Sequence, residues 1–196
     1  VLFRSLHTLT GEEAAPSRTD GTTVVVQLLK ADVEAIKVQL DLATGDDNAY
    51  LRIDNELISD QSGVDVTAIV DGAAQQAAAF AGDSTAPQLE EFQLDMSTGI
   101  VKLSFTETMR GASVLLNQMT IKSVLAGSTL LEVGLAGTYA PSDDRTVEFT
   151  LATTVLNELK KKEGLASSAT NTHIKLQAAA VKDMAEISLV EVARKV

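Results

Sequence analysis

The sequence predicts an all-β fold built twice over, two β-sandwiches in tandem with one short helix inserted in each. Three observations predict it. Residues 23–60 align without a gap on residues 146–183 at an offset of 123, with Thr23/Thr146, Val24/Val147, Leu28/Leu151, Lys37/Lys160, Leu42/Leu165, Ala43/Ala166, Asn48/Asn171 and Asp60/Asp183 matched. Apolar residues alternate with polar ones over several short runs separated by turn residues. The period then changes from 2 to 3.6 once in each copy. A repeat of about 120 residues is too long for a solenoid turn and suits a bead-on-a-string domain.

The elements follow in order. In the second copy Phe92, Leu94 and Met96 alternate with polar residues, Ser97-Thr98-Gly99 makes a turn, and Val101, Leu103 and Phe105 alternate again. That is a hairpin with one buried face. Gly111 marks a loop. Met119 and Ile121 keep the period of two with Lys122 outward, and Leu130, Val133 and Leu135 form a weaker strand between Gly127 and Gly137. Pro141-Ser142-Asp143-Asp144 reads as a loop and Val147, Phe149 and Leu151 as a strand. Val155, Leu156 and Leu159 have helical spacing, which predicts a helix at about Val155–Glu163, capped by Thr153 or Thr154 and ended by Gly164. The first copy predicts the same helix at about Asp32–Leu40, with Asp32 as its cap and Val33, Ile36 and Leu40 on its apolar side. Asn171 opens a strand with Ile174 and Leu176. Ile187, Leu189 and Val192 form the last strand, and Val64, Val66 and Ile69 are their counterparts. Ala73–Ala81 (AAQQAAAFA) has helix propensity. Its position before Asp83-Ser84-Thr85-Ala86-Pro87 favours a linker.

The expected domains are therefore residues 1–82, an incomplete repeat whose first strands are missing, and residues 83–196, a complete one. The second unit opens near Ala86 and ends near Val196. The first has no counterpart for most of Pro87–Gln118, and its Phe3-Arg4-Ser5 matches Ile121-Lys122-Ser123. The phase implies that Val1 lies inside a unit, as in a fragment of a longer repeat protein. Val24, Val26 and Leu28 are expected to be buried like Val147, Phe149 and Leu151. Residues 1–82 alone are expected to lack about five core side chains, each worth roughly 1.5–3 kcal/mol, and so to be unstable in isolation.

Composition narrows the function. The formal net charge is −11, with 27 acidic and 16 basic residues. Such a surface repels nucleic acid and anionic membranes, and no run reaches transmembrane length. No cysteine is present, which removes disulfides and thiolate chemistry. No Asn-x-Ser/Thr sequon occurs. Serine and threonine are abundant enough for O-linked sugar.

Signals for chemistry are sparse. His7 and His173 are far apart in sequence, and alignment of the copies puts Tyr50 at the place of His173, so both are expected as surface or half-buried strand residues. No Gly-x-Ser-x-Gly, Gly-x-Gly-x-x-Gly or P-loop pattern occurs. Lys160–Lys162 reads as a solvated face of the helix. Asp41, Asp46 and Asp47 share one loop, and Asp143 and Asp144 another. Calcium needs six to eight oxygens from a converging set. The second copy lacks acids where the first has Asp41, Asp46 and Asp47. The remaining metal candidates are Asp71 and Asp83, which flank the linker, with calcium as the ion. No other cofactor and no catalytic residue is expected.

Three segments carry a resemblance. Asp83-Ser84-Thr85-Ala86-Pro87 resembles the Asp-x-Thr-Ala-Pro junction that opens many bacterial-type immunoglobulin-like domains. Leu94–Gly99 followed by Val101–Glu107 resembles their early hairpin with its Leu-x-Phe-Ser-Glu core. Val155–Lys160, then Leu165-Ala166-Ser167 and Asn171-Thr172, resembles a variant in very long surface proteins of marine protists and algae. There an Asp-Leu-Asn-x-Ile-Lys helix precedes a Leu-Ala-Thr-Ser turn; Val155 replaces the Asp here, whereas Asp32 keeps it in the first copy. The resemblance covers nearly all of the second unit and the later half of the first. It implies extracellular immunoglobulin-like or cadherin-like sandwiches without catalytic residues.

The expected function is thus a structural repeat module of a long extracellular fibre, filament or cell-surface appendage. Its partners would be further repeats of the same polypeptide and neighbouring subunits of a homopolymer. An adhesin or carbohydrate-binding module on the same scaffold, with glycans as partners, and a viral fibre protein are the rival readings; an enzyme is a third. Sugar binding would call on exposed members of Phe3, Tyr50, Phe80, Phe92, Phe105, Tyr139 and Phe149.

Overall fold

A computed structural model describes residues 5–11, 20–123 and 130–195. The readings that rest on Phe3, Arg4, Gly127 and Val196 lie outside them. The fold is all-β, with three antiparallel sheets and two short α-helices among the described residues. Contacts divide the chain into Val1–Asp83 and Ser84–Val196.

In the first unit, helix α1 (Lys30–Lys37) precedes β1 (Tyr50–Leu51) and β2 (Gln75–Gln76), which pair Tyr50 with Gln76 and Leu51 with Gln75. The linker reading of Ala73–Ala81 is corrected here, since β1 captures part of that segment as a strand. The stretch 64–69 makes only single bridges, Ser59 with Asp65 and Ile53 with Ile69. Helix α1 starts two residues before Asp32 and does not include Leu40, which is exposed. Asp32 therefore cannot cap it. It lies inside the first turn and turns its carboxylate toward the preceding chain.

The second unit holds two four-stranded antiparallel sheets. Its strands are β3 (Leu89–Leu94), β4 (Ile100–Met109), β5 (Met119–Lys122), β6 (Glu132–Gly134), β7 (Gly137–Tyr139), β8 (Asp144–Leu151), β9 (His173–Leu176) and β10 (Val192–Lys195), with helix α2 (Thr153–Lys161) between β8 and β9. One sheet runs β3-β4-β8-β7 and the other β10-β9-β5-β6. The period of two explains the burial. Val101, Leu103 and Phe105 of β4, Val147 and Phe149 of β8, Met119 and Ile121 of β5, and Ile174 and Leu176 of β9 all enter one apolar cluster. Leu159 of α2 completes it, fully buried.

The β3–β4 hairpin turns where expected, with Gly99 at φ +79°, a conformation that a side chain resists. Helix α2 starts at Thr153, so neither Thr153 nor Thr154 caps it; the N-cap is Ala152, without a side-chain bond. It ends at Lys161, before Gly164. The last strand begins at Val192, beyond the expected Ile187 and Leu189, where the chain makes only an isolated bridge between Lys182 and Ser188.

Local geometry recurs between the units at the 123-residue spacing. The N-cap of α1, Leu29, has φ −59° and ψ 143°, and that of α2, Ala152, has φ −58° and ψ 140°. Ala43 and Ala166 both have positive φ, 49° and 54°. Asn48 Oδ1 accepts from the amides of Thr44 and Gly45 at 2.8 and 2.9 Å, and its Nδ2 donates to Thr44 Oγ1 at 2.7 Å. Asn171 does the same with Ser167 and Ser168, at 3.0, 2.9 and 2.7 Å. Asp60 Oδ1 accepts from Val64 N, and Asp183 Oδ1 from Ile187 N, at 2.9 and 2.8 Å. The turn so held contains Gly63 at φ 78° in one unit and Glu186 at φ 65° in the other.

Burial does not recur. Val147 and Phe149 are 0% and 2% exposed, while Val24 and Val26 are 53% and 44% exposed, against expectation. Leu28 is half-buried. The pairing of the two stretches differs. β8 is buried because β4 pairs with it and the second sheet contributes to the same core. No strand pairs with residues 23–26 among the described residues. Among the described residues, the hydrophobic core runs from Leu89 to Leu189.

Candidate functional site

The two expected metal residues, Asp71 and Asp83, both belong to the first unit. Asp71 opens a single 3-10 turn, Asp71–Ala73, and is exposed. Asp83 holds the Lys37 ammonium at 2.8 Å. Two of the five loop acids serve the backbone. Asp143 Oδ1 accepts from Gly111 N at 2.8 Å and Asp144 Oδ1 from Thr146 N at 2.9 Å. Asp41, Asp46 and Asp47 are exposed.

Two acids passed over in the sequence form a more unusual arrangement. Glu107 and Asp183 are both buried in the second unit, and their carboxylate oxygens lie within 4.8 Å of each other. β4 positions Glu107. A shift of register between Ser104 and Met109 ends the simple alternation, and Glu107, Thr108 and Met109 are all buried. Met109 bridges to Asp144 on one side and to Asp183 on the other, which brings the two acids together. Carboxylates this close repel unless a proton or a cation neutralises them. Two carboxylates supply only a fraction of the oxygens that calcium takes. The signal was legible: Glu107 continues the inward phase of Val101, Leu103 and Phe105, and Asp183 is matched to Asp60.

His7 is half-buried, as expected, though outside any strand, whereas His173 corrects the surface or half-buried reading. His173 opens β9 and is buried. His7 Nε2 donates to Asp32 Oδ1 at 2.8 Å. Thr10 adds its amide to Oδ2 at 3.0 Å and its hydroxyl to Oδ1 at 3.1 Å. Asp32 is only 1% exposed. The His7 hydrogen bond holds its carboxyl below the usual carboxylate range, and the Thr10 bonds add to this against the opposing effect of burial. The Thr10 hydroxyl is engaged by the carboxylate rather than by the imidazole, which is not the geometry of an activated nucleophile.

An open groove of about 540 Å³ runs in the second unit between Phe92, Leu94 and Met96 on one side and Ala166, Ser168 and Thr172 on the other. Asp95 at its rim is committed to its own turn. The Thr98 hydroxyl and Ser97 amide both donate to it at 2.7 Å, and these bonds lower its pKa, the hydroxyl most. Among the aromatics, Phe92, Phe105 and Phe149 are buried, Tyr139 is half-buried, and Tyr50 and Phe80 are exposed.

The largest departure from a finished surface is in the first unit. Val24, Val25 and Val26 stand exposed in succession, with Val64 and Val70 exposed as well. No protein-family model, curated protein or solved structure matches the chain.

Proposed function

We propose that the chain is a run of tandem immunoglobulin-like β-sandwich modules that serve as load-bearing repeats of a long extracellular fibre, filament or cell-surface appendage. The observation that carries this reading is the recurrence, at one spacing, of a helix start, an asparagine clamp, a left-handed alanine and an aspartate-held turn. Such detail is what a duplicated structural unit preserves. The second unit has the parts a mechanical module needs. Two four-stranded sheets surround one apolar cluster, and β4 is paired along both edges. Extension at its ends would have to break sheet hydrogen bonds and expose that core together. An acidic surface keeps such repeats soluble and apart until specific contacts form.

Single-molecule extension of the full chain tests the reading. The second unit is expected to open in one resolved event that lengthens the chain by about 350 Å, the extended length of a unit of its size less its folded span. Gradual lengthening at low force without such an event would overturn the mechanical role.

A further inference from the structure

Residues 23–26 stand 123 positions before Thr146–Phe149 of β8. In the second unit β4 pairs with that stretch, Leu103 opposite Val147 and Val101 opposite Phe149. The first unit keeps the geometry that follows the stretch. α1 leaves it with the same N-cap dihedrals as α2, and the amides of Val33 and Leu156 donate to the N-cap carbonyls of Leu29 and Ala152, both at 3.0 Å. What differs is the neighbour. Val24, Val25 and Val26 are exposed, and no strand pairs with residues 23–26 among the described residues.

We propose that Thr23–Val26 is the acceptor edge for a β-hairpin with the alternating apolar pattern of Leu89–Met109. This rests on the reading of the units as copies of one module. The register follows from the spacing: the positions equivalent to Leu103 and Val101 fall opposite Val24 and Val26, antiparallel. A hairpin fits better than a single strand, because β4 is itself covered by β3 on its far edge and a lone added strand would leave a new open edge. Charge does not drive the pairing. Leu89–Met109 carries Glu90, Glu91, Asp95 and Glu107 against Lys102, and the first unit is acidic too. Backbone bonds and apolar burial supply the affinity, as in strand addition to a sheet edge. Added salt therefore tightens the association by screening like charges.

The test is amide hydrogen exchange on the full chain, titrated with a synthetic peptide of residues 87–110. Exchange at residues 23–26 is expected to slow about tenfold in a saturable manner. Exchange in β8, which already has its own hairpin, should not change. Raising salt from about 0.05 to about 0.5 M should move the titration to lower peptide concentration. The double variant Val24→Asp with Val26→Asp, which alters exposed positions only, should lose the protection. Four results would overturn the proposal: no slowing at about 1 mM peptide, equal slowing by a peptide of the same composition without alternation, retained protection in the double variant, or slowing that follows chain concentration without peptide, which would assign the edge to a second copy. Extension of the second unit does not depend on this edge, so the mechanical reading and this one fail separately.

Discussion

Replacing Leu159 by alanine tests whether the inserted helix is part of the core of the second unit. Leu159 is 0% exposed within the cluster that both sheets share. The substitution removes the equivalent of three methylene groups, or about 2.4 kcal/mol at about 0.8 each. If roughly 40 Å³ stays unfilled, the cavity adds about 1 kcal/mol. The expected loss is therefore about 3.4 kcal/mol. With a urea dependence of about 2 kcal/mol/M, the midpoint falls by about 1.7 M. The chain has two tyrosines, Tyr50 and Tyr139, one in each unit. In a Tyr50→Phe background, Tyr139 fluorescence follows the second unit alone. Ile36, the equivalent residue of α1, is only half-buried, and Ile36→Ala should cost about a third as much. A Leu159→Ala midpoint within about 0.3 M of the parent would refute the packing argument, because a fully buried leucine in a closed core cannot be removed so cheaply.

Asn171→Ala removes two accepted amide bonds and one donated bond, and is expected to destabilise the second unit by about 1–2 kcal/mol. Asn171→Asp keeps the acceptor and should cost less, with amide exchange at Ser167 and Ser168 as the local readout. The third prediction concerns acid. Asp32 has a lowered pKa in the folded chain, so its contribution is present above the unfolded aspartate value and is lost as pH falls through the folded one. His7→Ala removes the principal cause of that shift. It should move the acid loss of the α1 region, read by amide exchange at residues 30–37, to higher pH; an unchanged profile would show that His7 does not hold Asp32.

Alternation carried most of what the sequence could tell about the second unit. Val101, Leu103 and Phe105, and Val147 and Phe149, face inward because both neighbours of each strand are present. The same pattern at Val24 and Val26 misled, since burial belongs to a pairing and not to a segment. Helix starts were missed by two residues at both sites. Asp32 and Thr153 are good cap residues, yet the chain enters each helix through Leu29 and Ala152 without a side-chain bond. Asp32 is instead taken by His7 and Thr10, a contact across more than twenty residues that no local signal records. Glu107 is legible from its phase on β4, although a buried acid contradicts the usual preference. Asp83 and Asp71 were chosen for their position beside the linker. Position in the sequence does not by itself report convergence; within the second unit, Glu107 and Asp183 converge.

The turn that Asp60 and Asp183 hold carries a glycine in one unit and a glutamate in the other. Gly63 adopts its left-handed conformation freely. Glu186 does so against a penalty of about 1–2 kcal/mol. Its carboxylate meets Arg110 on one oxygen and Lys182 at 3.3 Å on the other. Exposed pairs of this kind contribute about 0.2–1 kcal/mol each, close to the penalty, and they fade as the screening length shortens from about 10 Å at 0.1 M salt to about 3 Å at 1 M. Two corners of the same shape thus answer differently to the medium. The glycine corner is indifferent to brine, whereas the glutamate corner is firm in dilute solution and loosens in concentrated salt. A fibre made of such alternating corners would have its compliance set partly by the salinity around it, module by module.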